Sequence, residues 1–200
     1  MKAIIFNGSY RTNGNTAKIL RKIAGMFEHH LIEYEWVDLG SLEIEDCRGC
    51  LVCKDSNRCC VKDDMQLLYD KIQMSDFLVL GSPIYMGAET GRFKSFIDRL
   101  YAFLRFTNEK GLFESSLNKG KKAIIVFTCG RKDGDIVYNH LNVRYFHIFV
   151  KLLACEDMRS FIIPVFCIDQ EPMKVSKTTP LSQMFEETSR FIEDSKGRTH

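Results

Sequence analysis

The sequence contains no apolar run of about 18 residues and no basic leader ahead of a hydrophobic core, so neither a membrane span nor a signal peptide is indicated. A cytoplasmic protein is expected. An excess of one charge is missing too, because Lys and Arg number 28 against 26 Asp and Glu, for a net charge of +2. The basic residues are spread along the chain, which gives no ground for nucleic-acid or membrane binding. No linker-like stretch, internal repeat or low-complexity segment divides the 200 residues, and with 45% hydrophobic content they suit one α/β domain over 1-200. No Ser/His/Asp arrangement stands out, and no metal-binding His pair. His29 and His30 end a helix and read as partners of its C-terminal dipole or of solvent, and His140 and His147, without a carboxylate partner, read as structural or interfacial.

What is present begins at Gly8. An apolar run, Ala3-Ile4-Ile5-Phe6, reads as a buried strand, and Ala17, Leu20, Ile23, Ala24 and Phe27 recur at helical spacing. The loop between them, Gly8-Ser9-Tyr10-Arg11-Thr12-Asn13-Gly14-Asn15-Thr16, therefore joins a strand to a helix N-terminus. Hydroxyls and amides at Ser9, Thr12, Asn13, Asn15 and Thr16, two glycines and the cation Arg11 make a pocket suited to a phosphate dianion. Gly14 is followed by Asn15-Thr16 rather than by Lys-Ser/Thr, and the third glycine of a dinucleotide fingerprint is missing, so neither nucleotide motif fits. The alternative is an ordinary turn in which Asn15 or Thr16 caps the helix.

Further strands are expected at Leu31 to Leu39, Asp76 to Pro83, Lys122 to Thr128 and Phe161 to Phe166, with Pro164 suiting an edge. Helices are expected from Met65 to Met74, from Phe93 to Leu104, from about Ile136 to Ala154, and from Leu181 to Ile192. In and just past the second of these intervals Lys94, Asp98, Arg99 and Arg105 fall largely on the polar face, and Lys119 to Lys122 reads as a solvated lead-in to a strand. Five strands alternating with helices predict a doubly wound, flavodoxin-like α/β fold with a parallel sheet in the order 2-1-3-4-5. In such a fold a loop of this composition after the first strand receives the monophosphate of FMN at the switch point.

After strand 2 the pattern stops. The insertion at about 41-64 carries Cys47-x2-Cys50-x2-Cys53-x5-Cys59, followed by Cys60. Three thiolates at this spacing and a fourth further on can wrap a cuboidal [4Fe-4S] cluster, whereas structural zinc prefers two separated knuckles. Cys47, Cys50, Cys53 and Cys59 are the candidate ligands, with Cys60 an alternative to Cys59. Gly49 permits a tight turn, and Arg48, Lys54 and Arg58 can offset thiolate charge. Packed or reactive thiols without a cluster, and zinc, remain alternatives. Cys129, Cys155 and Cys167 read as small core residues.

Taken together, Gly8-Ser9-x-Arg11-x-x-Gly14-Asn15-Thr16, the cysteine run, Asp63-Asp64-Met65, Gly81-Ser82-Pro83-Ile84-Tyr85-Met86-Gly87 and Lys94-Ser95-Phe96-Ile97-Asp98-Arg99 resemble NADPH-dependent FMN reductase-like flavoproteins. Within these, the iron-sulfur flavoproteins are most alike. The resemblance covers about the first hundred residues; beyond them only the rhythm of strands and helices is shared. It implies that Ser9, Arg11, Asn13, Asn15 and Thr16 surround the FMN phosphate and that Pro83, Ile84, Tyr85, Met86 and Gly87 line the isoalloxazine. Core packing or a subunit contact is the other reading of Tyr85 and Met86. Thr128 and Gly130 stand at a third flavin-facing loop, although Thr128-Cys129-Gly130-Arg131 is less glycine-rich than the family's, and Tyr10 replaces its usual Pro. The resemblance implies an FMN-dependent oxidoreductase with a [4Fe-4S] cluster, NAD(P)H or a ferredoxin as electron donor, and a homodimer or higher homo-oligomer in which a neighbouring subunit helps cover the flavin. The alternatives are a cluster-free NAD(P)H-dependent FMN or quinone reductase, a flavodoxin-type electron carrier, and a zinc-bearing binding module.

Overall fold

The structure is a computed structural model that describes residues 1–56, 58–107, 113–165 and 180–197. Its elements are β1 (Lys2–Asn7), α1 (Asn15–His29), β2 (Glu33–Asp38), α2 (Cys53–Ser56), α3 (Met65–Met74), β3 (Phe77–Pro83), α4 (Gly91–Arg99), β4 (Leu104–Phe106), β5 (Phe113–Ser115), β6 (Lys122–Cys129), α5 (Gly134–Val137), α6 (Asn139–Phe146), β7 (Asp157–Pro164) and α7 (Pro180–Lys196). Five strands form a parallel sheet in the order β2-β1-β3-β6-β7. Numbering only these five gives the expected 2-1-3-4-5.

The two central strands explain the layering. β3 and β6 are buried at every position, as strands covered on both faces must be. Their side chains alternate between two cores. Ile4, Phe6, Leu78, Leu80, Ile125 and Phe127 pack with α3, α4 and α6 through Leu68, Ile72, Phe93, Phe96 and Tyr145. Ala3, Ile5, Phe77, Val79, Ile124 and Val126 pack with α1 and α7 through Ile19, Leu20, Ile23, Phe27, Met184 and Ile192. β1 has β2 on one side and β3 on the other, so the crossovers diverge there and a crevice opens at its carboxyl end. Pro164 closes β7 at the sheet edge, where its missing N–H costs no ladder bond.

Several local expectations are corrected. Arg99 is not on a polar face: it is 2% exposed, because its spacing of three from Phe96 sets it beside the apolar stripe and Asp63 meets it there. Lys121 and Lys122 are buried rather than solvated. Lys121 donates through Nζ to the carbonyls of Gln73 and Ser75 at the end of α3, and Lys122 pairs with Glu156 at 3.5 Å. The single helix expected from 136 to 154 divides into α5, α6 and a π-helical turn over His147–Leu152. That turn ends where the Leu153 N–H donates to the Ile148 carbonyl at 2.8 Å, a wider closure than an α-helix makes. The antiparallel pair β4–β5 was not anticipated. Phe166 and Cys167 lie outside the described residues.

Candidate functional site

A cleft of about 130 Å³ opens at the carboxyl ends of β1, β3 and β6, lined by Ser9, Arg11, Gly14, Asn15, Thr16, Pro83, Ile84, Tyr85, Thr128, Cys129, Gly130 and Val165. Three segments remote in sequence meet here because the strands that carry them are neighbours in the sheet.

The first wall is the loop from Gly8 to Thr16. Gly8 sits so close to the core that a Cβ there would lie 2.4 Å from the Phe93 ring and 2.9 Å from the Gly81 carbonyl oxygen. Its N–H donates to that carbonyl at 2.7 Å, and the Thr90 hydroxyl donates to the Gly8 carbonyl at 2.8 Å. The loop therefore owes its shape to close backbone packing. Ser9 folds the next turn, its Oγ accepting from the Arg11 N–H at 3.1 Å. Gly14 is the N-cap residue of α1 and makes no side-chain cap bond, so neither Asn15 nor Thr16 acts as the cap. The orphan N–H groups of the first turn are left for another acceptor. Asn15 Oδ1, an acceptor, is buried with no hydrogen-bond partner, and an amide oxygen so placed needs a donor from outside the fold.

The second and third walls differ in character. Pro83, Ile84 and Tyr85 present apolar surface, with Ile84 8% and Tyr85 57% exposed. Tyr85 and Ala88 exchange N–H to carbonyl bonds of 2.8 and 3.2 Å around Met86 (φ 51°) and Gly87 (φ 86°), a tight turn with both central residues left-handed. Met86 is fully exposed at its tip. The turn is held from behind by Glu89, whose buried carboxylate pairs with Arg144 of α6. On the third wall, Thr128 Oγ1 lies 2.7 Å from Thr16 Oγ1, both buried, tying the start of α1 to the end of β6. The Ile84 N–H donates to the Thr128 carbonyl at 2.7 Å. Burial raises the Cys129 thiol, which stays protonated in the cleft wall.

Of the residues singled out in the sequence, Ser9, Arg11, Asn15, Thr16, Pro83, Ile84, Tyr85, Thr128 and Gly130 thus meet in one cleft. Asn13 stands apart: its side chain accepts from Arg21 at 3.4 Å on the exposed side of the loop. Met86 and Gly87 form the turn beside the cleft without lining it. Glu89 and Arg144 were missed, since nothing local in the sequence reveals a pairing over 55 positions.

The cysteine insertion lies elsewhere, against α3 and α4. Arg99 fastens both of its ends, donating to the Glu45 carbonyl at 2.9 Å and to both Asp63 oxygens at 2.6 and 3.0 Å. Lys54 Nζ donates to the carbonyls of Tyr101 and Leu104 at 2.5 and 2.6 Å and stands 3.3 Å from the Tyr101 ring centroid. Arg48 and Arg58 pair with Glu45 and Asp70, so the loop's cations are engaged by protein groups. Cys53 is buried, Cys59 half-buried, and Cys47, Cys50 and Cys60 exposed. Cys50 faces Cys60, with sulfurs 3.6 Å apart. Among the described residues no three His, Cys, Asp or Glu side chains are gathered as a metal-holding group, so the thiols as arranged do not fit the four-ligand set Cys47, Cys50, Cys53 and Cys59. A broad groove of about 990 Å³ between Tyr10, the insertion and α4 is lined by charges that answer one another, including Arg48 with Glu45 and Lys94 with Asp98.

The sequence pattern of the NADPH-dependent FMN reductase family matches residues 1–155. The chain belongs to that family. Among relatives, an iron-sulfur flavoprotein of Methanocaldococcus jannaschii is 34% identical over 99 residues, covering 50% of this chain and 51% of that protein. An FMN-dependent NADPH-azoreductase of Staphylococcus aureus is 33% identical over 102 residues, covering 50% of this chain and 52% of that protein. The chain spans about half the length of the curated relatives it matches. A solved NAD(P)H:quinone oxidoreductase from Methanothermobacter marburgensis shares the fold of this FMN reductase family member at 13% identity, with a TM-score of 0.67, over 100% of this chain and 99% of that one. No helix among the described residues is long and apolar enough to cross a membrane.

Proposed function

We propose that this chain is an FMN-dependent oxidoreductase that takes electrons from NAD(P)H and passes them to a quinone-like or azo acceptor. The observation that carries the reading is the uncapped start of α1, a 15-residue helix whose first residues line a cleft at the switch point. This arrangement suits a phosphate dianion, since a 15-residue helix aims its orphan N–H groups and the positive end of its dipole at the same place. Arg11 supplies a full positive charge in the cleft wall. Ser9, Asn15 and Thr16 supply hydroxyl and amide groups, and Asn13 steadies the loop through Arg21. Pro83, Ile84 and Tyr85 suit the flat ring of the cofactor, with Thr128 and Gly130 opposite and Met86 and Gly87 turning the chain away.

FMN, when bound, supplies the electron-transfer chemistry at its ring. The protein's part is to bind, orient and exclude water, and no side-chain acid or base is required of it. At about 130 Å³ the cleft falls below the roughly 300–1,000 Å³ of ordinary small-molecule sites. The exposed Tyr85 and Met86 beside it therefore favour a second copy of the chain completing the site, as a homodimer or higher homo-oligomer. The continuous sheet with apolar cores on both faces supports a single flavodoxin-like domain over 1-200, and the unpaired cysteines among the described residues suit a reducing cytoplasm. Steady-state oxidation of NADPH by the FMN-loaded chain tests the reading. Rapid turnover with a quinone or azo dye is expected, and failure to oxidise either nicotinamide overturns it.

A second reading adds a [4Fe-4S] cluster on Cys47, Cys50, Cys53 and Cys59, with a ferredoxin as donor. The spacing of the run and the iron-sulfur relatives favour it. Ligation would require the four thiols to be brought together, with Cys50 leaving Cys60, so no electron path is drawn through it. About four irons per chain in an anaerobic preparation would support the cluster; flavin colour without iron would remove it.

A further inference from the structure

The insertion brings together two thiols that the flavin site does not use. Cys50 and Cys60 are both exposed, and their sulfurs are 3.6 Å apart. The chain on either side of Cys50 is left-handed, at Gly49 (φ 64°) and Leu51 (φ 62°). Glycine adopts that backbone freely, but leucine does so only against a steric clash of its Cβ. The strain persists because the loop is fixed on both sides. Cys53 is buried and Lys54 is clamped on the carbonyls of Tyr101 and Leu104. On the other side Gln66 donates to the carbonyls of Cys59 and Val61 at 2.8 and 2.6 Å. A disulfide requires the sulfurs to close to about 2.05 Å, so a modest rotation of the two side chains suffices while both anchors stay in place.

We propose that Cys50 and Cys60 form a reversible disulfide on exposure to hydrogen peroxide. The step balances in two parts. One thiol attacks a peroxide oxygen, the O–O bond breaks, and a sulfenic acid and water form; the second thiol attacks the sulfenic sulfur, the S–S bond forms and the second water leaves. The two thiols lose two electrons and two hydrogens, and the peroxide is reduced to water. A dithiol reductant reverses the bond by thiol–disulfide exchange. The buried Cys53 and the half-buried Cys59 are spared by access. The pairing depends on this chain's thiols alone.

The experiment treats the full chain, reduced and free of air, with one equivalent of hydrogen peroxide, alkylates it, and maps its cysteine peptides by mass. The expected result is a Cys50–Cys60 cross-link that dithiothreitol removes and that Cys60→Ser abolishes. A dominant link between any other pair, or five freely alkylated thiols in the insertion after peroxide, overturns the proposal.

Discussion

Replacing Arg99 with Met should cost this protein a large part of its stability. The guanidinium is 0% exposed and the Asp63 carboxylate 5%, and the two share a bidentate contact at 2.6 and 3.0 Å. Removing one member of such a pair strands the other charge in the interior, at a cost of about 3–5 kcal/mol. That compares with a total stability on the order of 5–15 kcal/mol. For a chain of this size the loss corresponds to a fall in Tm of about 6–20 °C. Methionine fills most of the vacated volume, so the loss reports charge rather than a cavity. The double variant Asp63→Leu/Arg99→Met should lose much less than the two single losses added, because no unpaired charge remains. Burial drives the Asp63 carboxyl upward, but Arg99 and the N–H groups of Glu45 and Met65 outweigh it and hold it below the usual carboxylate range. Its contribution is therefore present above the unfolded-state value of about 3.9 and disappears as pH falls through the lower folded-state value. Urea titrations between neutral and acid pH should show this slope in the wild type and lose it in Asp63→Asn. A fall in Tm under about 2 °C for Arg99→Met, or strict additivity in the double variant, would refute the reasoning.

Other consequences are open to the same kind of test. Gly8→Ala should lower both Tm and FMN affinity, the latter by tenfold or about 1.4 kcal/mol, because the new methyl has backbone at 2.9 Å that cannot yield; unchanged flavin titration would contradict the close-packing account. Thr128→Val removes the buried bond to Thr16 at 2.7 Å and should cost about 1–3 kcal/mol in urea unfolding. Lys121→Met leaves the carbonyls of Gln73 and Ser75 without their buried donor, with an expected loss of about 1–3 kcal/mol by the same assay. Glu89→Ala removes the pairing with Arg144 behind the Tyr85 turn and should raise the KM for the acceptor more than it lowers Tm if the turn shapes the cleft mouth; a purely thermal effect would argue that the pair only holds the fold.

The sheet was legible because its signal is local. Ala3 to Phe6, Phe77 to Leu80 and Ala123 to Phe127 are continuous apolar runs, and the helices between them repeat at 3.6 residues, so strand order follows from the handedness of crossovers. The residues of the cleft were legible for a related reason: polar loops after strands 1, 3 and the fourth core strand must converge once those strands are adjacent. What stayed hidden depends on pairing across distance. Arg99 and Lys121 look like surface cations until Asp63 and the end of α3 are seen to meet them. The five cysteines of the insertion give a spacing but not a partner, and the facing of Cys50 toward Cys60 comes from left-handed turns at Gly49 and Leu51, the second of which leucine gives no reason to expect.

The most direct measurement compares FMN with riboflavin, its counterpart without the phosphate, by flavin fluorescence titration of the same apoprotein. If the start of α1 and Arg11 hold the phosphate, FMN should bind at least about 100-fold more tightly, or about 2.7 kcal/mol, since two charge-assisted hydrogen bonds are worth at least that. Arg11→Met should narrow the gap while leaving riboflavin unchanged. Equal affinity for the two flavins, or no binding of FMN at all, would contradict the account.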